Sequence, residues 1–421
     1  MRPRLALVMT VTLSALGMAC GDLSAPTASP SPHATVNDEA VYAGHHFGRF
    51  VAMGTSQTAG MMSGGLFAES QEHAWPAQLA RLANVEFAKP LLSDFGCPAP
   101  NIAPLELQLR VNGDSRANTT SCSPLEPNVV LPTQNLAIPN VLTSEALFTT
   151  PEIAAAANAI VGRLYSRILG PGQTQVSAMR VQDPSFVAVE FGAVEVIQTG
   201  RLGLPIPVVP FAQWTPLYDE VISAVRAEGA RAVLVSFPDD MAIWPGLRTG
   251  AELYGEREAF AARYITVSAA CGAAEAQNLV YLPRKVFQAL SAAGPAKAAG
   301  LPAPVLTCRD IPGTLDAVLT PTELIIVNAA WTQVNDYIKA TATANGFAHF
   351  SLNDLFTLPD FRPPFSLEAL LTSGEPYGPY MSLDDLHPNA IGERFLAEVA
   401  AKALNDTYNL HIPWQRTIVE R

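Results

Sequence analysis

Short, mostly apolar runs that alternate with helical stretches constrain this chain more than any other feature. Phe50-Val51-Ala52-Met53-Gly54 is the first, and it carries no charge. Phe186 to Gly192, Ala232 to Phe237 and Phe347 to Leu352 repeat the type. Runs of this length, apolar on both alternating faces, read as strands covered on both sides, which is the habit of parallel sheets. Between them the apolar period changes to that of helices. Trp75, Leu79 and Leu82 mark one around His73 to Leu82, and Leu217, Val221 and Val225 mark another over Thr215 to Glu228. Pro151, placed at a first helical position after Thr150, opens a third, with Ile153, Ile160, Leu164 and Ile168 as its buried stripe and Gly170 as its stop. Thr320-Pro321-Thr322-Glu323 combines a capping box with a first-turn proline. Leu324, Val327, Trp331, Val334 and Ile338 then face inward, and Asn345-Gly346 ends the helix. Pro388 begins the last helix, with Ile391, Phe395 and Val399 inward, running to about Asn405. This alternation predicts an α/β fold with a parallel sheet between helical layers.

Two regions break the rhythm. Residues 93–150 are rich in Pro, Asn, Ser and Thr and read as irregular, with a short strand expected at Val129 to Leu131. Residues 239–319 are rich in Ala, Gly and Pro and read as an insertion at the carboxyl edge of the sheet, a lid or a pocket wall. Each contains two cysteines. Cys97 with Cys122 and Cys271 with Cys308 is the most local of the three possible pairings, and it is the one expected in an exported chain. No C-x-x-C spacing is present, so the cysteines offer no zinc site.

Export is expected from the first residues. Arg2 and Arg4 precede an apolar run from Leu5 to Met18, then Ala19 and Cys20. The run is too short and wrongly flanked to span a membrane. A small residue followed by Cys resembles a bacterial lipobox, with Cys20 as the lipidated residue, although Gly17 stands where Leu is usual. The alternatives are a surface or periplasmic lipoprotein and an ordinary secreted protein. Residues 20–40 then form a tether rich in Ser, Pro, Thr and Ala, 41–410 the folded body and 411–421 a tail. His45 and His46, adjacent at the end of the tether, read as solvated side chains. The net charge of −12, with no basic stripe, excludes nucleic acid as a partner class. The membrane is reached only through the N-terminal lipid.

Chemistry enters at two ends of the chain. Gly54-Thr55-Ser56 follows the first strand, so Ser56 falls past a strand's carboxyl end, where open α/β sheets hold their ligands. A Gly-x-Ser triplet alone carries little weight, since roughly two are expected by chance in a chain this long. Asp384-Asp385-Leu386-His387-Pro388 follows the last strand. An Asp three residues before a His lets a short turn place the carboxylate on one ring nitrogen, leaving the other for a nucleophile.

Gly54-Thr55-Ser56 after a strand and Asp384-x-x-His387-Pro388 before the terminal helix resemble the SGNH (GDSL-type) serine hydrolases, over about residues 48–405. The resemblance implies a flavodoxin-like, three-layer fold with a five-stranded parallel sheet, and ester hydrolysis without a metal or other cofactor. Ser56 is then the nucleophile, His387 the general base and acid, and Asp384 its orienter. The order Ser, Asp, His also fits α/β-hydrolases, but those carry a G-x-S-x-G elbow, and here Gln57-Thr58 follows the serine. Three positions depart from the family pattern. Thr55 replaces the Asp of the first block. The second block is best matched at Asn135 to Asn140, with Asn140 in place of the Gly whose N–H joins that of Ser56 in the oxyanion hole. The third matches Gly192-Ala193-Val194-Glu195, with Val194 in place of a donating Asn. Losing one such donor costs about 10²–10³ in rate, and Gln198 and Gln213 are the candidate substitutes. The function expected is a serine esterase or lipase acting on a small-molecule or lipid ester. A lapsed, ligand-binding relative and a polysaccharide O-acetylesterase are the alternatives.

Overall fold

The computed structural model describes residues 47–414. Cys20, the tether, and His45 and His46 lie outside the described residues. Along the body run β1 (Phe50–Gly54), a one-turn helix α1 (Ser56–Ala59), α2 (Trp75–Leu82), β2 (Phe186–Glu190), α3 (Ala193–Gly200), α4 (Phe211–Ala227) and β3 (Arg231–Ser236). An inserted region holds β4 (Leu247–Thr249), β5 (Thr266–Val267), β6 (Leu279–Tyr281), β7 (Val305–Leu306) and β8 (Val318–Leu319). Then come α5 (Pro321–Asn345), β9 (Ala348–Ser351) and α6 (Ala390–Tyr408).

The main sheet has four parallel strands in the order β1-β2-β3-β9. Every residue of β1 and β2 is buried, as the uninterrupted apolar runs require. On the free side of β1, Leu136 N–H donates to Ala52 O and Ala52 N–H donates to Gln134 O, both at 2.8 Å, and Ile138 N–H donates to Gly54 O at 3.1 Å. Residues 134–138 thus run parallel to β1, bridged at Asn135. The strand expected at Val129 to Leu131 is absent. That stretch is irregular, with Val130 exposed, and the edge pairing falls a few residues later.

Helices α2 and α6 pack against each other, α6 also covers β9, and α4 and α5 pack against β3. Trp214, Tyr218 and Trp331 are fully buried beneath α4 and α5. Trp75 stands edge-on to Phe350 under α2. Two aromatic layers thereby seal the two faces of the sheet, and burying each ring contributes on the order of 2–3 kcal/mol.

Some helices differ from expectation. The stretch after Pro151 is two helices, Pro151–Ala157 and Ala159–Ile168. Asn158 interrupts it because its side chain accepts from Ile160 N–H and Val161 N–H, capping the second helix. The break turns Ile153 outward, so it is exposed. Gly162 lets the two helices touch, since a Cβ there would meet Ala155 Cα at 2.3 Å. Helix α6 starts at Ala390 rather than Pro388, capped by the Asn389 side chain. Ile391 is exposed, and the inward position is taken by Glu393. The expected tail is packed where it begins: Ile412 is buried and exchanges two hydrogen bonds with the Asn405 side chain.

The inserted region interrupts the parallel pattern with an antiparallel sheet, β4-β6-β8, and a two-stranded ribbon, β5-β7. Disulfides join Cys97 to Cys122 and Cys271 to Cys308, the expected pairing. Two such bonds mark an oxidising compartment outside the cytoplasm. Among the described residues no helix is long and apolar enough to cross a membrane.

Candidate active site

Gly54 ends β1 where the side chain of Glu190, at the end of β2, crosses it. A Cβ on Gly54 would stand 2.9 Å from Glu190 O and 3.0 Å from Glu190 Cβ. The extended Thr55 then turns the chain into α1, so Ser56 is the first residue of a helix and only half-buried. Glu190 holds this turn. Its carboxylate accepts from Thr55 N–H at 2.9 Å, from the Thr55 hydroxyl at 2.8 Å and from Thr58 N–H at 3.3 Å. Burial pushes the Glu190 pKa up to about 7 against those donors. Glu393 of α6, also fully buried, accepts from the Gln57 side chain at 2.9 Å and from Trp75 N–H at 2.8 Å. Its pKa is raised well above the usual carboxylate range by burial, with the Glu190 charge adding to the effect.

The second half of the site is a tight turn ahead of α6. Asp384 Oδ2 lies 2.8 Å from His387 Nδ1. Asp384 Oδ1 accepts from His387 N–H at 2.9 Å, Leu386 N–H at 3.1 Å and the Ser382 hydroxyl at 3.1 Å. Burial alone would raise the Asp384 pKa. His387, through its charge, its ring N–H and its main-chain N–H, and Gly64 N–H together overcome that and hold it well below the carboxylate range. The carboxylate is therefore charged, and it fixes the proton of the imidazole on Nδ1.

The two halves meet. Gly64, in the loop after Ser56, donates its N–H to Asp384 Oδ2, 320 residues away. Beside it Ser63 N–H donates to the Ser382 hydroxyl at 2.8 Å, and Leu383 N–H donates to the Ser63 hydroxyl. The Met61–Gly65 loop is pinned by these bonds. Gly64 has φ +69°, which favours glycine there. Ser56 and His387 line one cleft that encloses about 630 Å³ out to its open mouth. His387 Nε2 is buried and has no hydrogen-bond partner among the described residues.

The same cleft is lined by Asn140, Val194 and Gln198. Asn140 has φ +62°, a left-handed conformation that glycine adopts more freely. Among the described residues no hydrogen bond takes up the main-chain N–H of Ser56 or of Asn140. Gly192, with φ +119°, turns the chain from β2 into α3, and a Cβ there would press on Val334 at 2.9 Å. Glu195 is buried and accepts from Thr143 N–H and its hydroxyl, both at 2.7 Å. This ties the segment after Asn140 to α3, and Trp214 Nε1 braces it by donating to the same hydroxyl. Gln198 Nε2 donates to Asn140 Oδ1 at 3.0 Å. Gln213 is exposed on α4 and does not line the cleft.

Sequence reasoning missed Glu190, Glu393, Arg201 and Trp244. The first two are buried carboxyls that no local pattern sets apart from surface acids. Arg201 follows Val194, Ile197 and Gln198 at helical spacing on the cleft wall, a signal that was available. Trp244 reaches the cleft from the inserted region, which serves as part of its wall. No protein-family model matches the chain, and no curated protein matches it in sequence.

Proposed function

We propose that the protein is a serine esterase of the SGNH type, acting on esters with an apolar acyl portion outside the cytoplasm. The observation that carries the reading is the buried, partnerless Nε2 of His387 in the cleft that Ser56 lines, with Nδ1 held by Asp384. In this reading residues 134–138 count as a fifth strand beside β1, giving the flavodoxin-like sheet. Ser56 Oγ attacks the ester carbonyl as His387 Nε2 takes its proton. The alcohol leaves with that proton, and a water repeats the sequence on the acyl-enzyme. The N–H groups of Ser56 and Asn140 are the oxyanion donors, with no side-chain donor at Val194. Val194, Ile197, Phe237, Trp244 and Phe356 give the acyl side an apolar wall, which favours an acyl chain over the acetyl group of a polysaccharide. Lipid attachment through Cys20 would keep the enzyme at a membrane surface.

Labelling with a fluorophosphonate probe tests the reading. Wild-type protein should be modified at Ser56 and should hydrolyse p-nitrophenyl esters, and Ser56→Ala should do neither. A second reading, a binding module that keeps the fold without turnover, rests on Val194. It predicts ester hydrolysis indistinguishable between wild type and Ser56→Ala.

A further inference from the structure

Helix α3 forms one wall of the cleft through Val194, Ile197, Gln198 and Arg201, residues that repeat every three or four positions and so share a face. From Val194 to Arg201 the helix rises about 10 Å. The wall therefore begins near the proposed oxyanion position and ends at a guanidinium. That guanidinium is under-used. It makes two hydrogen bonds, both at 3.5 Å, to the Tyr281 hydroxyl and Gln198 Oε1. Its Nε is buried and has no partner, and it forms no ion pair among the described residues. Trp244, 8% exposed, lines the same cleft, and its Nε1–H is likewise without a partner among the described residues. Arg201 and Trp244 line both the main cleft and a smaller chamber that shares Ile197 and Leu386 with it. Buried donors left unmatched are costly, and two together at one end of a ligand cleft fit an acceptor brought by the ligand.

We infer that the Arg201–Trp244 end of the cleft binds a carboxylate carried by the ester substrate, several bonds from its ester carbonyl. The inference rests on the esterase reading for its substrate class, but not for the anion site itself. A carboxylate matches one guanidinium and one neutral N–H in charge and in acceptor number. Asp385 also lines the chamber. Burial and the neighbouring Asp384 charge push its pKa up to about 8, against Arg201, Arg116 and the Tyr281 hydroxyl. That shift favours its neutral acid form over a competing anion at neutral pH.

The test is direct binding to Ser56→Ala protein, in which turnover cannot interfere. Isothermal titration calorimetry compares monomethyl adipate with dimethyl adipate, in which a neutral methyl ester replaces the acyl-side carboxylate. The acetate ester of 4-hydroxybutyrate, against its methyl ester, places the charge on the alcohol side. The carboxylate should tighten binding at least tenfold in one of the two pairs, and the pair that responds identifies the side. Adding Arg201→Gln should abolish the difference, and adding Trp244→Phe, which keeps an aromatic ring, should reduce it severalfold even if the arginine variant does not fold. Equal affinities within both pairs, no binding of either acid, or a preference that survives both substitutions would overturn the inference. Wild-type hydrolysis of neutral p-nitrophenyl esters is scored separately, so a failed anion site and a failed esterase reading are told apart.

Discussion

Glu190 accepts hydrogen bonds from both the main-chain N–H and the hydroxyl of Thr55, at 2.9 and 2.8 Å, and by this pair of contacts the end of β2 holds the turn in front of Ser56. The Thr55 hydroxyl is therefore structural. Thr55→Val leaves Glu190 Oε1 buried without its donor, so denaturant unfolding should find the variant about 1–3 kcal/mol less stable than wild type. Thr55→Ser, which keeps the hydroxyl donor, should retain most of the wild-type stability. A Thr55→Val protein as stable as wild type would mean that Glu190 holds the turn through main-chain N–H groups alone.

Several buried acids set the pH dependence of stability. Burial raises the folded-state pKa of Glu190 to about 7 and of Asp385 to about 8, and raises Glu393 as well. Each group holds its proton more tightly folded than unfolded, so its contribution is fully present below the unfolded carboxylate range, near pH 4. That contribution falls as pH rises through the folded values. Unfolding free energy measured in urea should decline between about pH 5 and pH 9. Glu190→Gln should flatten that decline by an amount on the order of 2–3 kcal/mol. Stability that stays flat across this window would show that these acids ionise in place as readily as in the unfolded chain.

How far the sequence disclosed the molecule follows the range of each signal. Strands β1, β2, β3 and β9 announce themselves locally, because burial on both faces demands unbroken apolar runs. The Thr320–Glu323 capping box is equally local, and α5 begins where it stands. Asp384 and His387 were legible because a three-residue turn brings them together. Glu393 and Glu190 were not, since a buried acid is defined by donors such as Trp75 and Thr55, more than a hundred residues away. Ile153 and Ile391 failed for a related reason. Ile391 lies on a helix capped by Asn389, and Ile153 on a short helix that ends where Asn158 caps the next, so in both the inward face differs from that of one continuous helix.

The second disulfide bears on the cleft through the inserted region. Cys271–Cys308 closes a 37-residue separation beside the segment that carries Trp244 to the wall. Constraining a loop of that size removes about 3–4 kcal/mol of unfolded-chain entropy. Replacing both cysteines with Ala should lower stability by roughly that amount. Cutting by a protease should then concentrate within residues 239–319, and unchanged resistance there would mean that packing alone holds the insertion.

Asp384 offers a test of the proton assignment on His387. Asp384→Asn keeps the size and most acceptor contacts of the side chain. It removes the charge, and its amide can present a donor to Nδ1, which favours the tautomer with the proton on Nε2. An Nε2 that already carries a proton cannot accept one from Ser56. Ester hydrolysis should fall by about 10³–10⁴-fold in kcat while KM changes little, as expected when a general base is held in the wrong tautomer. Fluorophosphonate labelling should slow in parallel. A loss below tenfold would mean that Asp384 serves only to shape the turn.

Val194 is the sharpest test of the oxyanion arrangement, because the side chain is buried, lines the cleft and offers no donor. If the ester carbonyl sits between the N–H groups of Ser56 and Asn140, an amide at position 194 adds a third donor to the developing charge. Val194→Asn should then raise kcat, by up to the 10²–10³-fold that such donors contribute elsewhere. The gain is limited by any cost of placing an amide against Ile197. Because the donor acts on charge that forms only during reaction, KM should move far less than kcat. A tenfold or greater fall in kcat, with the fold intact by circular dichroism, would mean that the carbonyl does not approach α3 at Val194. The oxyanion would then have to be sought on the other side of the cleft.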